Sequence, residues 1–172
     1  MRMLAAAASA ALLIATPLGV GAQSTSGQDL TPEGRGAYVA VAGANNLFIV
    51  KAAEIAREKA RRPEVRQFAE AMLAEHQDAI EQLLEAARAA GLEAFPPGMM
   101  PMHWARLRRL ERSSGSRFDR VYVDQQIEAL EVALELHRNF FTNGSSTQLK
   151  SFAQAEWPEA SERLEQARQL EN

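Results

Sequence analysis

Four long stretches of this chain repeat apolar residues at the i, i+3, i+4, i+7 spacing of a helix buried on one face. That rhythm constrains the fold more than any other feature. The first stretch carries Tyr38, Val41, Ala42, Phe48, Ile49, Ala52, Ile55 and Ala56 inward, with Asn45 inside the stripe. Thr31-Pro32 is its expected start, because threonine caps free amides and proline suits the first helical turn. Gly34, Gly36 and Gly43 weaken its early turns by about 1 kcal/mol each relative to alanine. The second stretch begins at Pro63 and carries Val65, Phe68, Ala69, Met72, His76, Ala79, Ile80, Leu83 and Ala87, with Gly91 as a left-handed cap.

Pro96, Pro97, Gly98 and Pro101 rule out a regular helix through residues 92–102. A short basic helix is expected from about His103 to Arg112, stopped by Ser113-Ser114-Gly115. Ser116 and Asp119 have capping-box spacing for the third long helix. Its stripe is Phe118, Tyr122, Gln126, Ala129, Leu130, Ala133, Leu136, His137 and Phe140, and Asn143-Gly144 ends it. Ser145 and Gln148 repeat the capping pattern for the fourth helix, whose stripe is Leu149, Phe152, Ala153, Glu156, Ala160, Arg163, Leu164, Ala167 and Leu170. Pro158 predicts a kink near Gln154 or Ala155. No strand pattern competes. The expected fold is an all-α four-helix bundle, with a proline-rich crossover and a short extra helix between helices two and three.

The ends suggest a compartment. Arg2 precedes an apolar run from Met3 to Val20, and Val20-Gly21-Ala22 places small residues where a signal peptidase cuts. Pro17 and Gly19 interrupt the run, which falls short of the roughly 20 apolar residues of a spanning helix. Residues 1–22 are therefore read as a signal peptide, 23–31 as a polar flexible leader and 32–172 as the bundle domain, periplasmic or secreted. No later segment is expected to cross a bilayer. Export removes one of the 19 basic residues and leaves the 22 acidic ones, a net charge of −4 that gives no general attraction for nucleic acid. Without cysteine there are no thiolate ligands or nucleophiles.

Several segments carry a family resemblance: Asn46-Leu47-Phe48 to Ala60, Val65 to Ala79 with Phe68-Ala69, Met72 and His76, Phe118-Asp119 through Tyr122 to Gln126, and Trp157-Pro158 to Leu164. In their order and spacing they resemble the exported, ferritin-like bacterial proteins grouped as domain of unknown function 4142. The likeness runs from about Ala37 to Leu170. It implies a ferritin-like bundle and brings no settled activity. It also implies a glutamate on the first helix and a histidine on each of the other three. In that register Ile49 stands at the glutamate position, Leu130 and Arg163 stand at two histidine positions, and His76 alone remains.

Dimetal bundle sites need carboxylates and imidazoles aimed at one point, often as Glu-x-x-His. No inward pair here has that spacing; Glu75 is adjacent to His76 and points about 100° away from it. Hydrocarbon cannot bind a metal and a guanidinium repels one. His76 is accordingly read as a hydrogen-bonded member of a buried polar stripe with Asn45, Gln126, Glu156 and Arg163, although a surface pair with Glu159 is equally open to Arg163. His137, near its helix end, suits the helix dipole as a cation.

Met99-Met100-Pro101-Met102-His103 offers thioethers and an imidazole that could suit copper. The competing reading is methionine filling gaps beneath the crossover. Arg106, Arg108, Arg109 and Arg112 follow as a basic face for an anionic lipid or acidic partner. The plainer expectation packs Trp104, Leu107 and Leu110 on the domain and leaves the arginines wet. The sequence thus favours a non-enzymatic envelope protein with no required cofactor, a binding or envelope stress-related module acting through its surface on an unknown protein or envelope component. Its rival is a metal-binding or redox protein using His76, with iron, or the Met99–His103 loop, with copper.

Overall fold

The computed structural model describes residues 34–171. Five helices make up this part: α1 (Arg35–Lys59), α2 (Pro63–Ala89), α3 (Pro101–Glu111), α4 (Gly115–Asn143) and α5 (Thr147–Gln169). Among the described residues there is no strand. The signal peptide, the leader and the Thr31-Pro32 start lie outside the described residues.

α1 and α2 form one hairpin, and α4 and α5 the other; α1 packs on α4, and α2 on α5. Between the hairpins the chain climbs the length of α1. Arg35 donates to the carbonyl of Ala90 at 2.8 Å at the lower end. At the upper end Lys59 donates to the carbonyl of Glu111 at 2.6 Å. This long crossover makes α2 and α4 run parallel, the arrangement of ferritin-like bundles.

The crossover explains the composition of α1. Its outer side is covered by the crossover and by α3, so Gly43, Ala44, Asn45, Asn46, Phe48, Ile49, Val50, Ala52 and Ala53 are all buried. A helix covered all round must be apolar all round. α1 consequently is long and apolar enough to cross a membrane by length and composition, which corrects the expectation that nothing after the leader would be. Most of that stretch is buried inside the domain. Gly43 has a second role, since a Cβ there would lie 2.8 Å from the Cβ of Pro97.

Local signals fared unevenly. Pro63 opens α2, and Gly91 has the left-handed φ of 76° expected of a cap. α3 begins at Pro101, slightly ahead of His103, because proline fits the first helical turn. The Ser116–Asp119 capping box is not formed: α4 starts at Gly115, and Asp119 turns to the neighbouring hairpin. There its two carboxylate oxygens accept from the backbone N–H groups of Arg61 and Arg62, each at 3.0 Å, and tie α4 to the start of α2. The cap of α5 is Ser146 rather than Ser145; its hydroxyl accepts from the Leu149 N–H. Pro158 lies inside α5.

The core is in two parts. The upper cluster gathers Phe48, Ile49, Phe68, Met72, Phe118, Tyr122 and Leu130. The lower gathers Tyr38, Leu83, Phe140, Leu149 and Phe152. Polar side chains occupy the level between them.

Candidate functional site

The polar side chains come from all four long helices and span about two turns of the bundle. α1 contributes Asn45 and Asn46, α2 His76, α4 His137 and α5 Glu156. Asn45 donates to the carbonyl of Ala129 at 3.0 Å. Nδ1 of His76 lies 2.9 Å from Oδ1 of Asn46. Its partner is therefore Asn46 and none of Asn45, Gln126, Glu156 or Arg163. The periodicity missed Asn46 because a helix covered on all sides has no outward face to exclude.

His137 is 2 % exposed, and its Nδ1 lies 2.8 Å from the Tyr38 hydroxyl. Phe140 stacks on Tyr38 at 3.9 Å, and Phe152 meets the His137 ring edge-on. Burial lowers the pKa of His137 to about 4, so the imidazole is neutral near pH 7. The dipole-facing cation is corrected on that ground. Burial, helped by the proximity of His137 and Arg163, lowers His76 to about 3. The Tyr38 phenol is raised by burial and then by Glu156, and it stays protonated.

Gln126 is wholly buried, and neither amide atom has a hydrogen-bond partner among the described residues. Glu156 and Arg163 sit half-buried at the edge of the layer. Glu75 takes both Nε and Nη2 of Arg163, in a two-pronged bridge from α2 to α5; the Nε contact is 2.6 Å. Nη1 donates to Gln166 at 2.6 Å. Arg163 therefore pairs across the bundle and not with Glu159.

Glu75, His76, His137, Glu156 and Arg163 border a cavity of about 340 Å³ between α2, α4 and α5. Burial, followed by repulsion from Glu159 and Glu75, raises Glu156 to about 7. A wider groove of about 890 Å³ around Trp157 and Pro158 is open and mostly apolar.

Ile49 and Leu130 are fully buried and offer hydrocarbon alone. Among the described residues no three histidine, aspartate or glutamate side chains are grouped so as to share an ion. The Met99–His103 segment is divided. Met99 packs against the upper cluster, Met100 is half-buried and Met102 is exposed. His103 is buried, stacks on Phe48 at 5.1 Å and accepts the Met100 N–H at Nδ1. Burial and then Arg106 lower its pKa.

That inward histidine changes the face of α3. Leu107 and Leu110 are buried as expected, but Trp104 is 51 % exposed, which corrects its expected packing. Met102, two residues before it, and Phe95, in the segment ahead of α3, are exposed as well. Arg108, Arg109 and Arg112 face solvent. Arg106 does not join them: it pairs with Glu128 at 2.7 Å and lies over the Phe48 ring.

Comparison with known proteins agrees with this architecture. No curated protein matches the chain. The crystal structure of a DUF305 fragment from Deinococcus radiodurans superposes with a TM-score of 0.69 at 13 % identity, over 81 % of this chain and 95 % of that one. At that identity the likeness concerns the fold alone. The model of a family described as a domain of unknown function, DUF4142, matches residues 20–170. The chain belongs to the DUF4142 family.

Proposed function

We propose that this protein is an exported binding module of the cell envelope, non-enzymatic, which meets an anionic surface through α3. The observation that carries the reading is Trp104, half exposed beside Arg108, Arg109 and Arg112. An exposed indole leaves a large apolar face in water, and contact with a partly apolar surface would bury it. An interfacial helix keeps aromatic and aliphatic side chains next to cations, so that the rings enter the headgroup layer and the guanidiniums bind phosphate. Export rests on the signal-like residues 1–22, nearly all of which precede the family match beginning at residue 20. The non-enzymatic part rests on Ile49 and Leu130 as hydrocarbon and on Arg163 as a paired cation.

Flotation of the mature protein with vesicles tests it. Binding to vesicles containing phosphatidylglycerol, weak binding to pure phosphatidylcholine and loss of binding at high salt are expected. Trp104→Ala and Arg108→Glu/Arg109→Glu should each weaken it. Absence of binding at low salt would sink the reading. The rival, a metal or redox protein built on His76 or the Met99–His103 segment, predicts stoichiometric iron, manganese or copper in protein purified from the periplasm, lost in His76→Ala or Met100→Ala.

A further inference from the structure

Four wall positions of the cavity between α2, α4 and α5, Ala79, Ala133, Ala155 and Ala160, are alanine. Its polar lining is lopsided in charge. Glu75, Asp78, Glu156 and Glu159 border it, against the single cation Arg163, which Glu75 already holds. Such a cleft favours a positively charged occupant.

A second observation lies deeper. His76 is only 8 % exposed and lines the cavity. The Asn46 oxygen on its Nδ1 can only accept, so the proton of this neutral ring sits on Nδ1. Nε2 then carries the ring's lone pair and has no protein hydrogen-bond partner among the described residues, in a side chain that lines the cavity. It is an acceptor awaiting an N–H donor.

Two kinds of cation could answer this charge. A metal ion needs several ligands converging on one point, and no three side chains among the described residues are so grouped. Acceptors spread around a cavity of about 340 Å³ suit a charge carried on a larger body, with N–H donors for the acceptors and carbon for the alanine wall. We infer that this cavity is a binding site for a small alkylammonium ion, with the Glu156 carboxylate as counter-ion and Nε2 of His76 accepting one ammonium N–H. A second ammonium on a short diamine would reach the exposed carboxylates of Asp78 and Glu159 at the mouth.

Titration calorimetry on the full mature chain near pH 8, with 1,4-diaminobutane as probe, tests the inference. Saturable one-to-one binding is expected. Tetramethylammonium, which has charge but no N–H, should bind about tenfold more weakly, and Glu156→Gln should weaken the diamine about tenfold. Glu156→Gln retains the side-chain shape, and Ala155→Leu at a solvent-exposed wall position provides a second variant that should block entry while far-ultraviolet circular dichroism stays unchanged. Three results would overturn the assignment: no saturation by about 10 mM diamine, affinity unaffected by both variants, or a preference for Zn²⁺ or Mn²⁺ over the diamine that depends on Glu156.

Discussion

Removing the charge of Glu156 should change how stability varies with pH. The carboxyl ordinarily titrates at 4.5 and is raised to about 7 here by burial, Glu159 and Glu75. The folded state therefore keeps a proton that the unfolded chain has already released. Its stabilising contribution is complete below 4.5 and disappears as pH rises through about 7. Across that window the loss is at most about 3 kcal/mol, and about 1–2 kcal/mol once the solvent at the half-buried group screens it. Glutamine copies the protonated acid in shape and cannot ionise. Glu156→Gln should thus match the native protein near pH 4.5 and exceed it by about 1–2 kcal/mol at pH 8.

The histidines provide an internal control. Both are depressed, His76 to about 3 and His137 to about 4, so their contributions are present above 6.5 and fade as pH falls towards those values. Urea unfolding of both proteins at half-unit steps between pH 4 and 8.5 should show the same histidine-linked acid arm in both and, in the native protein alone, an added loss of stability between pH 4.5 and about 7. Parallel profiles separated by a constant offset would refute the argument, because the carboxyl would then carry no charge strain in the fold.

Other substitutions probe the frame around the layer. Gly43→Ala should gain about 1 kcal/mol of helix propensity and lose about 1–3 to the contact with Pro97; a lowered urea midpoint is expected, and a raised one would mean that the crossover yields freely. Asp119→Ala leaves two N–H groups at the start of α2 without their carboxylate and should cost about 2–3 kcal/mol by chemical denaturation, with Asp119→Asn losing less. Tyr38→Phe removes the hydroxyl partner of His137 and should cost about 1–2 kcal/mol; the same measurement checks it.

Helical period and proline placement made the bundle readable from sequence, because a stripe with one wet side leaves an unambiguous pattern. α2 is the plain case: eight of the nine residues of its stripe are buried, with Ile80 half-buried. α1 was harder because its crossover cover removes the contrast, and Asn46 went unnoticed beside Asn45. Asp119 was misread for another reason. A carboxylate three residues after a serine looks like a local cap, and nothing in one helix reveals that the start of another lies across from it. Tyr38 and His137 are 99 positions apart in the chain, so their hydrogen bond has no local signature.

The crossover and the polar layer are physically connected. A chain that covers α1 from end to end must turn part of its apolar surface inward. α3 meets that demand with His103, Leu107 and Leu110. His103 can take an inward place because its Nδ1 is satisfied by the Met100 N–H and its face by Phe48. Trp104, one residue on, is then rotated about 100° from that inward direction. The same economy operates inside the bundle. Alanine at Ala79, Ala133 and Ala160 leaves space beside His76 between the two apolar clusters. Larger aliphatic residues there would join the clusters into one core and add stability. The small side chains instead keep a charged cleft open beside a buried imidazole, and a fold under selection for stability alone has no use for that.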